Sequence, residues 1–78
     1  MHTGMLWFDN SQADVQTKIQ KAMDYYVKKY GLKPDLCLLH PATLGKAKVE
    51  IDGLTVRQYR PVLQGHIWIG IADKAEAG

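Results

Sequence analysis

One cysteine and three histidines are the residues of this 78-residue chain best suited to chemistry. Cys37 and His40 stand at C-x-x-H spacing, which occurs in zinc sites. Their segment has the composition of a strand, however, and residues three apart on a strand point to opposite faces. No second pair of ligands accompanies them, so we predict no metal site and no cofactor.

A thiolate nucleophile is the other chemistry that these residues suggest, with Cys37 activated by His40 or His66. Such a site needs an activated thiolate, a cleft and a third group that orients the base, and the sequence contains no pattern for them. No glycine cluster opens a helix, which argues against phosphate binding. We therefore predict a buried thiol, no catalytic residues and a non-enzymatic protein.

Length and composition favour one small domain over residues 1–78, with frayed ends at 1–4 and 73–78. A core of this size supplies only about 3–5 kcal/mol, so self-association is a common supplement. Ten basic and eight acidic residues leave a net charge of +2, too little for a dedicated nucleic-acid binder. The single cysteine suits a reducing compartment, and neither a membrane-spanning run nor a secretion signal is present in the sequence. We expect a cytoplasmic protein that does not bind membranes.

One long amphipathic helix is predicted over residues 11–30. Ser11 followed by Asp14 approximates a capping box, and Gly31 with Pro34 ends the helix. Its apolar positions recur at helical spacing and form one arc. They are Val15, Ile19, Ala22, Met23, Tyr26 and Tyr30.

Several strands surround this helix in the sequence. Residues 5–8 are rich in large apolar side chains, residues 35–40 form a continuous apolar run typical of a central strand, and residues 66–72 alternate isoleucine with other residues. Residues 41–45 form a turn or one short helical turn. Asp52-Gly53 predicts a type I′ hairpin within 48–59.

These elements predict an α+β fold, with one long helix on one face of a four- to five-stranded mixed sheet in the order β-α-β-β-β. The first two strands would form a parallel βαβ unit, and an antiparallel meander would extend the sheet.

One helix covers only one face of a sheet, so the other face is polar or meets something else. With Ile67, Ile69 and Ile71 toward the helix, His66 and Trp68 lie on the far face, where we also place Cys37 and Lys48. Aromatic residues and arginine dominate interface energies, which predicts a homodimer or a protein partner at this face. A homodimer through an exposed sheet edge is the other arrangement that we expect. The predicted interface residues are Trp7, Leu39, Arg57, Tyr59, His66 and Trp68. Alternatively, the hairpin or the loop 61–65 covers the face and the tryptophans belong to the core, or the face forms a ligand groove.

A basic flank on the helix predicts a different function, that of a nucleic-acid-associated accessory protein. Lysines interleaved with an aromatic ring can contact phosphates and stack on a base. The same lysines stand at helix-pair spacing from aspartates, so a solvated surface explains them equally well. The flank consists of Lys18, Lys21, Tyr25, Lys28 and Lys29.

Residues 6–71 also resemble a small bacterial domain family to which no function is assigned. The resemblance lies mainly in residues that mark the ends of helices and strands. They are Tyr25-Tyr26, Tyr30-Gly31, Pro34, His40-Pro41, and Gly65-His66 with Trp68 and Gly70. It implies no site residues. Short segments are also similar to structural proteins of phages and mobile elements, a likeness that transfers no role.

Overall fold

The computed structural model describes residues 3–72, and the expected fraying at residues 1, 2 and 73–78 lies outside this range. The described chain is α+β, with one long helix and a four-stranded mixed sheet, as predicted. Its elements are β1 (Thr3–Phe8), α1 (Val15–Tyr30), β2 (Leu36–Leu39), the short α2 (Pro41–Leu44), β3 (Thr55–Gln58) and β4 (His66–Ile71). The described residues contain no fifth strand.

The long helix α1 begins later than its sequence pattern suggests. Asp14 is the N-cap, and its Oδ1 accepts a hydrogen bond of 2.7 Å from the backbone N–H of Thr17. The segment before it turns instead, because Asp9 Oδ1 accepts from the N–H of Ser11. At the other end Gly31 adopts a left-handed φ of 72° and donates its N–H to Val27, which confirms the predicted terminator.

The strand order in the sheet is β1-β4-β2-β3. Both β1 and β2 pair antiparallel with β4, so they are parallel to each other as predicted, but β4 lies between them. The two strands with the most continuous burial, β2 and β4, occupy the centre, as expected for apolar runs. The edges of the sheet are therefore β1 and β3.

The predicted type I′ hairpin is wrong. Ile51 and Leu54 do form a bridge, but only Gly53 in the turn has a positive φ, 79°, whereas type I′ requires it at both central residues. A turn of the other hand splays its arms, and residues 47–50 form no strand. The chain beyond the turn pairs parallel with β2 instead, so no antiparallel meander forms there.

The core lies between α1 and one face of the sheet. Ile69 and Ile67 face the helix as predicted, with Cys37 and Leu39 directly opposite them on β2. Helix α1 adds three fully buried side chains to this cluster, Ile19, Ala22 and Tyr26.

Candidate interaction surface

The sheet face opposite α1 is apolar and is here called the open face. One row crosses all four strands and consists of Leu6, Trp68, Leu38 and Arg57, which are register partners in turn. Leu6 is 60% exposed. Because cross-strand partners share a face, this row is a continuous apolar band with one cation at its end. The open face comprises Leu6, Phe8, Leu36, Leu38, Arg57, His66 and Trp68.

Two glycines allow the aromatic rings of this face to lie close to the backbone. The Trp68 indole covers Gly4 so closely that a Cβ there would overlap the ring, with Cε2 only 2.6 Å away. Phe8 lies beside Gly65, whose φ is 81°, and its ring centroid is 4.8 Å from that of His66. Phe8 remains 57% exposed, so the cluster presents an aromatic surface to the outside.

The polar groups of the open face are few and lie at its margins. His66 Nδ1 is 3.2 Å from the carbonyl oxygen of Gln64, which fixes the ring beside Phe8. Arg57 borders a shallow depression of about 410 Å³ that Asp35 and Thr55 also line. Asp35 is already engaged there, because its Oδ1 accepts a 2.8 Å hydrogen bond from the N–H of Ala72. This arrangement suits an apolar contact with a polar rim.

Two of the predicted interface residues lie on the other side of the sheet. Leu39 is fully buried beneath α1, and Trp7, opposite Ile67, contacts Tyr25 of the helix with ring centroids 5.1 Å apart. Trp7 Nε1 is buried and has no hydrogen-bond partner among the described residues. The alternation of side chains within each strand was predicted correctly. Which alternating set of one strand shares a face with which set of the next depends on the pairing register, and a shift of one residue moves every side chain to the other face.

The remaining predicted interface residues have mixed placements. Arg57, His66 and Trp68 lie on the open face. Tyr59 follows the end of β3 and is 48% exposed, while Lys48 lies in the segment that forms no strand. The sequence did not show that the exposed Leu6 and Phe8 and the half-buried Leu36 and Leu38 belong to the open face, although their alternation with Trp7 and Cys37 was visible. The missing information was which member of each alternating pair the helix covers.

Cys37, His40 and His66 lie apart in the fold, and His2 lies outside the described residues. Cys37 is completely buried under α1, and this burial raises the pKa of its thiol to about 12. His40 caps α2, with Nδ1 accepting a 2.9 Å hydrogen bond from the N–H of Ala42, and His66 belongs to the opposite face. Among residues 3–72 no group of three or more histidine, cysteine or acidic side chains could hold a metal ion.

Within residues 3–72, the aspartates at helix-pair spacing from the flank lysines bond to other groups. The acidic neighbour of Lys18 and Lys21 is Asp9, whose pKa is lowered by hydrogen bonds from Ser11 and, to a smaller extent, by the charges of these two lysines. Asp14 is used as the N-cap, and Asp24 accepts a 3.1 Å hydrogen bond from Gln20 Nε2. Lys29 Nζ lies 5.3 Å from the centroid of the Tyr30 ring. Tyr25 is held against Trp7 and is 46% exposed. The four lysines of the flank outnumber Asp14 and Asp24, so this surface carries a small excess of positive charge.

No protein-family model, curated protein or solved structure matches this chain. The resemblance of residues 6–71 to a small bacterial domain family thus stays a prediction. Within the part of the chain that the structure describes, neither helix is long and apolar enough to cross a bilayer.

Proposed function

We propose that this protein is a small non-enzymatic interaction module, and that its open face binds an apolar surface of another protein. The observation that carries the proposal is the band of Leu6, Trp68 and Leu38 on the face that α1 does not cover. Apolar surfaces of this kind, bordered by polar groups, mark protein contact sites.

The charges and packing of the band favour a protein partner. Arg57 is its only charged residue and stands at one end, so the centre is free of the charges that core interface positions avoid. Trp68 and Phe8 provide large rigid rings, which carry much of the energy in protein contacts. The rings are already held by Gly4 and His66, so little ordering is needed on binding.

A peptide library displayed on phage tests this proposal, with binding to the immobilised protein as the readout. Peptides enriched on the wild-type chain are expected to carry apolar or aromatic residues and to lose binding to Leu38→Lys, which places a charge in the middle of the band. Gln16→Lys adds the same charge to the exposed surface of α1 and is the matched control, expected to bind as wild type does. Circular dichroism verifies that both variants fold.

Two results would contradict the proposal. One is a selection from which no peptide is enriched on the wild-type chain. The other is a set of peptides that bind wild type and Leu38→Lys with equal affinity.

The lysine flank of α1 supports a second candidate function, contact with nucleic acid. Its support is that Asp14 and Asp24 accept hydrogen bonds from Thr17 and Gln20 and not from the lysines. Asp9 is the acidic neighbour of Lys18 and Lys21, whose charges add to the hydrogen bonds from Ser11 in lowering its pKa. In a fluorescence titration at low salt, single- or double-stranded DNA is expected to bind with an affinity that falls as salt rises. Lys21→Glu should weaken this binding and Lys46→Glu, in the loop after α2, should not. Binding that is absent or insensitive to salt would exclude this function.

A further inference from the structure

No strand of residues 3–72 pairs with the outer edge of β1. The N–H of Asp9 donates to the carbonyl oxygen of Gly65, which places the bonded pairs of the β1–β4 ladder at odd-numbered β1 residues. The even residues Gly4, Leu6 and Phe8 therefore direct their N–H and C=O groups away from β4. Among the described residues, no hydrogen bond satisfies these outward groups.

This edge lacks the devices by which proteins usually protect a free strand. β1 is six residues long and contains neither a charged residue nor a proline. The opposite edge, β3, has only four residues, one of which is Arg57. A short edge strand that carries a charge resists pairing, whereas a long apolar one favours it. The contrast selects β1 as the edge at which another strand adds.

We propose that a second copy of this chain pairs with β1 in antiparallel orientation, forming one eight-stranded sheet around a two-fold axis at Leu6. This register uses all three outward residues: Leu6 meets Leu6 of the second copy, and Gly4 meets Phe8 of the second copy. It makes about six backbone hydrogen bonds, since each bonded pair exchanges two. The Trp68 indole already covers Gly4, so Phe8 of the second copy would meet that ring, and aromatic pairs of this kind are favourable.

Charge and side-chain chemistry make β1 complementary to itself. An uncharged strand brings no like charges together across a two-fold axis. On the helix side of the sheet the same register places Met5 opposite Trp7 of the second copy, a sulfur–aromatic pair.

A six-residue strand spans only about 20 Å, so this contact is smaller than the standard interface of about 800 Å² per partner. The dimer is accordingly weak and concentration-dependent. The inference rests on the proposed function, because the pairing joins two open faces into one continuous surface available to a partner.

Sedimentation equilibrium over a range of concentrations tests the pairing through a charge exchange at Leu6. This side chain is 60% exposed, so a charge there leaves the isolated fold intact. Leu6→Lys and Leu6→Glu each place like charges opposite one another at the axis, and each should raise the dimer dissociation constant at least about tenfold. An equimolar mixture of the two variants should recover the dimer, because the charges then become complementary.

Leu38→Lys is the variant that separates this pairing from face-to-face association. Leu38 lies on a central strand, away from the β1 edge, so its lysine variant should dimerise as wild type does while losing the library peptides. If a Leu6 variant does not fold, Leu6→Pro replaces it. Proline there removes an outward N–H and no bond of the β1–β4 ladder.

The proposal is overturned by a wild-type chain that stays monomeric at every concentration, by Leu6 variants that dimerise undiminished, or by a Leu38→Lys variant that is monomeric. A monomer that still binds peptides through Leu38 would leave the proposed function standing. If the mixture of Leu6→Lys and Leu6→Glu dimerises but the wild-type chain binds no peptide, the edge pairing stands and the proposed function is refuted.

Discussion

The close approach of Trp68 to Gly4 predicts that Gly4→Ala destabilises the fold. The added Cβ would overlap the indole and lie 2.8 Å from the carbonyl oxygen of Ile69. The ring must rotate or the β1–β4 pair must separate locally, and such overpacking costs about 1–3 kcal/mol. For a domain of this size a loss of about 2 kcal/mol lowers the melting temperature by about 8–16 °C.

A double-mutant cycle with Trp68→Leu separates the two contacts. The smaller side chain removes the clash with the ring but not that with the Ile69 carbonyl, so Gly4→Ala should cost at most about half as much in the Trp68→Leu background. Thermal and urea unfolding followed by circular dichroism measure all four chains at a concentration where the protein is monomeric. A cost of Gly4→Ala below about 0.5 kcal/mol, or one that is equal in both backgrounds, would refute the packing of Trp68 over Gly4.

Three further predictions concern the cap, the thiol and the two faces of the sheet. The hydrogen bonds from Thr17 lower the pKa of Asp14, so the cap stabilises the fold above the ordinary aspartate pKa, and this stabilisation is lost as pH falls through the lowered value. Asp14→Ala should therefore flatten the acidic part of the curve of melting temperature against pH. An unchanged curve would contradict the cap. Cys37, with its pKa raised to about 12, should react with iodoacetamide only when urea unfolds the chain, and rapid labelling of the native protein would contradict its burial. Ile69→Ala should cost about 2–5 kcal/mol by urea unfolding and Leu6→Ala under about 0.5 kcal/mol in the monomer, so equal costs would contradict the assignment of the faces.

Local signals in the sequence predict the helix and the alternation of each strand well. The terminator Gly31 and the apolar arc of α1 depend on neighbours within a few residues, and both are observed. The prediction of a type I′ hairpin was wrong because Asp-Gly indicates a turn without determining its type. Asp52 does not adopt the positive φ that a type I′ turn needs. Once the arms splay, residues 55–58 gain more by pairing with the apolar β2 than by continuing the hairpin.

The candidate surface could be predicted only in part, for a related reason. That α1 covers only one face of the sheet follows from there being one long helix among the described residues, and His66 and Trp68 were correctly placed on the other face. Whether Trp7 or Leu6 shares that face depends on the pairing of β1 with β4, which joins residues about 60 positions apart and leaves no local trace. In the observed pairing Trp7 lies on the helix side of the sheet against Tyr25, and Leu6 is exposed on the open face.

The arrangement of β1 connects the two proposals. A strand at the edge of a sheet ordinarily places its charged side chains on the uncovered face, where they cost nothing and discourage pairing. β1 has Leu6 and Phe8 in those positions, so the same two residues weaken the protection of the edge and extend the apolar band of the open face. Neither side chain is needed by the core beneath α1, since both point away from it. The core beneath α1 therefore gives no reason for two large apolar residues at these positions, whereas a contact between chains would use both.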